Sequence, residues 1–200
     1  MALMTINFKK NKRTKEQKNK RTKEQKNFFY MRPYLSYILL DAARMEVRME
    51  EAKELNPYHL SLYKGRSEED LAAVAPYFFA VPQDEDDFLD WFMEQGWSDA
   101  WGVIVSSQAS FEECYKHFRK FLIVKTELGE ELYFRFYDPR VMKIFLPTCD
   151  EQQIIEFFGP VDFFACEGDH REEALVFQHI DGRLTIDAIP AAQLFGVTVQ

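Results

Sequence analysis

Two aspartates each close a run of strand-forming residues, Asp41 after YILL and Asp138 after YFRFY. Carboxylates at strand ends can hold magnesium for phosphoryl transfer, because octahedral magnesium takes one or two carboxylates beside substrate phosphates. Asp138 also has a structural reading, and it is the better specified one. Pro139 follows it, and an Asp-Pro pair starts a helix: the carboxylate accepts a backbone N–H at the N-cap, and the missing proline donor is harmless at the first helical position. Arg135 and Arg140 flank this point. Either can pair with that carboxylate or another and so order a strand-to-helix corner without doing chemistry.

Other chemistry has less support. The four histidines, His59, His117, His170 and His179, form no HxH or HExxH spacing, so no metal site is expected. Cys114, Cys149 and Cys166 are odd in number and contain no CxxC, which indicates neither a disulfide framework nor a zinc knuckle and fits a reducing compartment. Cys114 lies on an amphipathic stripe, where a buried thiol is inert. With no GxGxxG, phosphate loop or GxSxG elbow, and 8 glycines in the chain, no cofactor is expected.

The elements that must position these residues alternate between short apolar runs and helical stretches, the pattern of an α/β (α+β mixed) fold. Strands are predicted over Leu35–Leu40, Tyr58–Tyr63, Tyr77–Val81, Gly102–Val105, Phe121–Thr126, Leu132–Tyr137, Asp162–Cys166, Ala174–His179 and Leu184–Ile189. Hairpin turns are expected between Glu127 and Glu131, around Gly129, and more strongly at Asp181-Gly182. Ser110 with Glu113 reads as a capping box before Phe111, Cys114, Tyr115, Phe118 and Leu122. Phe88, Leu89, Trp91 and Phe92 make a second stripe behind the acidic Asp84–Asp87, Ser67 with Asp70 opens a short helix, and Asp150 caps a run through Phe158 that Gly159-Pro160 stops. The expected architecture is a two-lobed domain with mixed sheets flanked by helices. The first lobe lies between Tyr34 and Ser107, the second runs from Phe121 onward, and the Phe111–Leu122 helix joins them.

The chain has 200 residues, of which 16% are aromatic, so a substantial core is expected and disorder of the whole chain is excluded. Its formal charge of −8 is unevenly divided. Residues 1–27 hold 10 Lys and Arg against 2 Glu, and the remainder holds 15 against 31 acids, so a leader at +8 precedes a body at −16. Such a body repels polyphosphate and argues against nucleic acid; positive or apolar protein segments are better partners. The leader contains a tandem octapeptide, NKRTKEQK at Asn11–Lys18 and again at Asn19–Lys26, with no apolar residue to bury. Without a signal core or a run of ~20 apolar residues, no membrane association is expected and the location is read as cytoplasmic. The predicted division is a basic low-complexity leader at 1–30, a principal domain at 31–168 and a β-hairpin extension at 169–200.

Several blocks carry a resemblance. Asp99-Ala100-Trp101-Gly102-Val103-Ile104-Val105-Ser106-Ser107, His117-Phe118-Arg119-Lys120-Phe121-Leu122, Phe134-Arg135-Phe136-Tyr137-Asp138-Pro139-Arg140-Val141 and Phe157-Phe158-Gly159-Pro160 occur in order. Together with Tyr34–Asp41, Leu62-Tyr63-Lys64-Gly65 and Val74-Ala75-Pro76-Tyr77, they resemble the effector adaptor or chaperone domain of bacterial type VI secretion, long catalogued only as a domain of unknown function. The resemblance runs to about Ala165. It implies a non-enzymatic adaptor whose partners are one cognate effector and the spike-tip protein of the secretion machine. It carries over no catalytic residue. The shared Trp101, Arg135, Asp138, Pro139 and Arg140 also read as framework, while neither the leader nor the tail after Gly168 matches the pattern.

Candidate effector contacts are Tyr58, Tyr63 and Phe79 on the first lobe and Trp91 and Trp97 near the acidic helix, since exposed aromatics supply contact area at low entropic cost. A cleft between lobes is the expected site. Two alternatives remain: an immunity-type inhibitor masking a toxin with the acidic body, and a magnesium-dependent phosphoryl-transfer enzyme using Asp41 and Asp138.

Overall fold

The all-apolar run before Asp41 needs cover on both faces, and it receives it as the interior strand β1 (Leu35–Asp41), paired on one side with β3 (Pro76–Val81) and on the other with β4 (Gly102–Ser107). The computed structural model describes residues 35–64, 71–81, 87–125 and 130–195. Around β1 lies a seven-stranded sheet in the order β2-β3-β1-β4-β7-β8-β9, with β2 at His59–Ser61, β7 at Val161–Glu167, β8 at Glu173–Ile180 and β9 at Arg183–Pro190. Every pairing is antiparallel. The two halves of the chain share this sheet, because β4 of the first pairs with β7 of the second across a register shift at Ser106/Ser107. A two-stranded ribbon, β5 (Ile123–Lys125) with β6 (Glu131–Tyr133), stands apart from it.

Seven helices accompany the strands among the described residues: α1 (Ala42–Met45), α2 (Arg48–Leu55), α3 (Asp87–Gln95), α4 (Phe111–Phe118), α5 (Pro139–Phe145), α6 (Glu151–Phe158) and α7 (Ala191–Phe195). The chain is therefore mixed α/β. Phe78 and Phe79 are neighbours on β3 and point to opposite faces. Phe118 of α4 packs on Phe78 at 5.3 Å and Phe88 of α3 packs on Phe79 at 5.0 Å, which puts α4 and α3 on opposite sides of the sheet. On the α4 side, Phe118 and Phe158 of α6 both reach Phe164 of β7. On the α3 side, Lys53 of α2 sits 4.2 Å over the Tyr77 ring.

Local signals explain most of the boundaries. The expected capping box forms at Ser110 with Glu113, and the expected cap at Asp150 is also a box, closed by Gln153. The Asp181-Gly182 turn has φ of 50° and 80°, the doubly left-handed geometry of a tight hairpin that a glycine in the second position admits. Strand extents differ most from the sequence reading at two places, while the strand expected over Phe121–Thr126 is confined to Ile123–Lys125. The Tyr58–Tyr63 strand is confined to His59–Ser61. The strand expected over Leu132–Tyr137 ends at Tyr133, and the chain then turns, with Asp138 N–H donating to Arg135 O at 3.0 Å. Phe136 and Tyr137 are consecutive and both buried, which the alternation of a ribbon strand does not permit but a turn into the core does.

α1 and α2 were not anticipated, although Met45, Met49 and Ala52 recur at helical spacing and are buried. The helix start expected at Ser67 and Asp70, acidic residues 84–86, turn residues 126–129 and the basic leader lie outside the described residues. No helix among the described residues is long and apolar enough to cross a membrane.

Candidate functional site

Asp41 and Asp138, far apart in sequence, come together where β1 ends and α5 begins. Asp41 closes β1, caps α1 by accepting from Ala43 N–H at 3.0 Å, and donates its own N–H to Trp101 O at 2.8 Å. Its other carboxylate oxygen accepts from Arg135 Nη2. Asp138 caps α5 as its sequence implied, accepting from Arg140 N–H at 3.0 Å with Pro139 in the first turn. It also receives the Arg140 side chain twice, Nε at 2.9 Å and Nη2 at 2.6 Å, the forked arrangement a guanidinium makes with a carboxylate. Arg135 lies 3.7 Å from the same aspartate, so its positive charge stands between the two carboxylates, where a metal-ion reading would have placed the cation.

The knot extends to β7. Glu167 accepts from Lys143 of α5 at 3.3 Å, while its second oxygen is buried without a hydrogen-bond partner. Three buried carboxylates, Asp41, Asp138 and Glu167, thus face three cations, Arg135, Arg140 and Lys143. Burial pushes Asp41 above the ordinary carboxylate value against the pull of Arg135 and the Ala43 N–H. Burial also pushes Asp138 upward, but the side chain and backbone N–H of Arg140 more than reverse it and leave this group below its ordinary value. Glu167, paired with Lys143, is raised by burial.

The remaining titratable groups are dispersed through the framework. His117 is buried in α4 and pairs with Phe157 O at 2.8 Å, tying α4 to α6, and burial lowers its pKa. His179 packs on Phe158 and accepts from Gly182 N–H at 3.2 Å, bracing the β8–β9 turn, whereas His59 sits by Asn56 O at 2.8 Å. No group of three metal-ligating side chains occurs among the described residues. Cys114 and Cys166 are free and buried, and burial raises both thiols, that of Cys166 to about 12. Cys149 is free and half-buried.

The aromatic candidates divide by exposure. Phe79 and Trp97 are 0% and 1% exposed and belong to the core, and Tyr63 is buried with its ring 5.8 Å from that of Tyr133. Trp91 is partly buried, 5.4 Å from Trp101. Tyr58 is 62% exposed. Sequence reasoning passed over the β5–β6 ribbon as a surface, yet Ile123, Val124, Leu132 and Tyr133 are all exposed on it; their position in a strand separate from the main sheet had no signal in the apolar run itself.

Trp101 and Gly102 belong to the same framework. Trp101 supplies the carbonyl that anchors Asp41, and a Cβ on Gly102 would stand 1.9 Å from Leu39 O, so β1 and β4 approach too closely there for any side chain. No curated protein and no solved structure matches the chain. The family comparison, in contrast, covers the strands and corners just described: residues 36–156, from β1 through most of α6, match the family described as a domain of unknown function, DUF4123, and the chain belongs to that family.

Proposed function

We propose that this chain is a non-enzymatic adaptor that binds a cognate type VI secretion effector and promotes its loading onto the spike-tip protein. The observation that carries the reading is the fate of the two strand-end aspartates. Asp41 and Asp138 are 0% and 2% exposed and are engaged by Arg135 and Arg140, an arrangement that orders a corner instead of presenting a reactive carboxylate. The residues that carry the resemblance therefore serve the fold, and the activity falls to the surface. Exposed apolar side chains such as Tyr58, Leu132 and Tyr133, on a body with an excess of acids, suit a protein partner.

The test is co-expression with each protein encoded beside this one, followed by pull-down and by a secretion assay in a strain lacking this chain. An adaptor retains a neighbouring toxin, leaves its activity intact in the complex, and is required for its secretion. Failure to retain any neighbour, or normal secretion in the deletion strain, removes the reading. Inhibition of the toxin's activity in the complex favours the immunity-type inhibitor, while magnesium-dependent turnover lost with Asp138→Asn favours the phosphoryl-transfer enzyme.

A further inference from the structure

The two edges of the seven-stranded sheet are finished differently. β2 is three residues long, and the protein's own side chains occupy its surroundings: Tyr115 Oη donates to Ser61 O at 2.8 Å, Arg119 Nε donates to Leu62 O at 2.9 Å, and Asn56 Oδ1 accepts from Tyr58 N–H at 2.9 Å. β9 is eight residues long and pairs only with β8 among the described residues. The two-residue turn makes Ile180 and Arg183 a hydrogen-bonded pair, so bonding alternates from there and Leu184, Ile186 and Ala188 direct their backbone N–H and C=O groups away from β8. An edge of that length with outward-facing backbone groups is a template for another strand.

The side chains support the same reading. Ile186 lies opposite Phe177, on the same face of the sheet, but Phe177 is 1% exposed and Ile186 43% exposed. Among the described residues, Ile186 lacks the lateral neighbour that an eighth strand would supply. The surrounding charge selects the occupant: residues 161–195 hold seven acids against two arginines, and Arg183 is already paired with Glu151 at 3.4 Å. A second copy would set this acidic surface against itself, whereas a basic segment is attracted to it.

We propose that the outer edge of β9 receives an extended segment of the effector as an added strand, with apolar residues beside Ile186 and a lysine or arginine near Asp187. This rests on the adaptor reading above. Main-chain bonds to Leu184, Ile186 and Ala188 supply affinity, and the alternating apolar and basic side chains supply selection.

The experiment measures binding of the co-expressed neighbouring effector to the full chain and to Ile186→Pro and Ile186→Lys. Among the described residues the outward N–H of Ile186 has no strand partner, so proline removes a docking donor at a position an edge strand tolerates, and lysine places a charge on the same edge. At least tenfold weaker binding by both variants is expected, with melting temperatures within about 2 °C of wild type. If Ile186→Pro melts early, Ile186→Lys alone decides. Effector binding unchanged in a folded variant overturns the edge inference and leaves the adaptor reading standing; failure of the wild type to bind any neighbour overturns both. A wild-type dimer that Ile186→Lys converts to monomer assigns the edge to a second copy, and amide exchange protection of Ile186 in the free monomer, lost on removing residues 1–27, assigns it to the chain's own basic leader; either result overturns the proposal.

Discussion

Arg135 donates to Asp41 across 94 positions of sequence, joining the end of the first strand to the corner that starts α5. The aspartate is fully buried while the arginine side chain is 40% exposed, so water reaches one partner and not the other. Arg135→Ala therefore leaves a buried carboxylate without its cation. A loss somewhat below the about 3–5 kcal/mol of a fully buried pair is expected, because the guanidinium is part-solvated. Denaturant unfolding at neutral pH checks it. Arg135→Lys restores the charge without the planar fork and should recover part of the loss; a variant as stable as wild type would show the contact to be dispensable.

Asp138 and Glu167 belong to one charge cluster and have opposite pH signatures. The folded pKa of Asp138 lies below its ordinary 3.8, so its contribution is fully present above 3.8 and is lost as pH falls through the lower folded value. The advantage of wild type over Asp138→Asn should shrink in that acid range. The folded pKa of Glu167 lies above its ordinary 4.5, so its contribution is present below 4.5 and is lost as pH rises through the folded value. Relative to Glu167→Gln, wild type should gain stability on acidification. Melting curves of the three proteins across pH 3 to 8 measure both trends; slopes of the same sign would contradict the assignment.

Asp138→Ala adds a capping loss to the electrostatic one. Replacing an N-cap aspartate costs about 0.5–2 kcal/mol, and Asp138→Asn, which still caps, should lie nearer wild type. Equal losses in the two variants would mean that the ion pair with Arg140, and not the cap, is what matters at this corner.

Gly102→Ala tests the close approach of β1 and β4. The obstructing atom, Leu39 O, is backbone in the middle of the sheet, which cannot move aside as a side-chain tip would. Unfolding at lower denaturant by at least 2 kcal/mol is expected, at the upper end of ordinary point-substitution effects. A neutral outcome would require the strands to separate there at no cost.

Much of this corner was legible in the sequence, and the part that was not has a physical cause. The N-caps at Asp138 and Asp150 and the box at Ser110 were readable because a cap is written within four residues. The partner of Arg135 was not, because a contact 94 residues away depends on strand order, and β2-β3-β1-β4-β7-β8-β9 cannot be read from runs that all look equally apolar. The strand drawn through Phe134–Tyr137 failed for a related reason: a turn that buries both Phe136 and Tyr137 has the same composition as a strand buried on both faces.

The aromatic candidates provide the last prediction, since composition alone gave Tyr58 and Trp97 the same standing and their burial separates them. Trp97 is 1% exposed and meets Phe92 edge to face at 6.2 Å, so Trp97→Ala removes a large core side chain. A loss of about 3–5 kcal/mol is expected, which at this size corresponds to a fall in Tm of roughly 6–20 °C. Tyr58→Ala should leave Tm within about 2 °C, because the ring is largely in water and a surface change of this kind stays near ±0.5 kcal/mol. The backbone N–H and C=O of Tyr58, bonded to Asn56 Oδ1 and Ala80 N–H, persist whatever the side chain. Under the adaptor proposal, binding of a co-expressed neighbouring protein then separates the two roles: a Tyr58→Ala protein that melts like wild type and binds more weakly identifies a contact residue, and one that binds as well as wild type removes Tyr58 from the proposed interface.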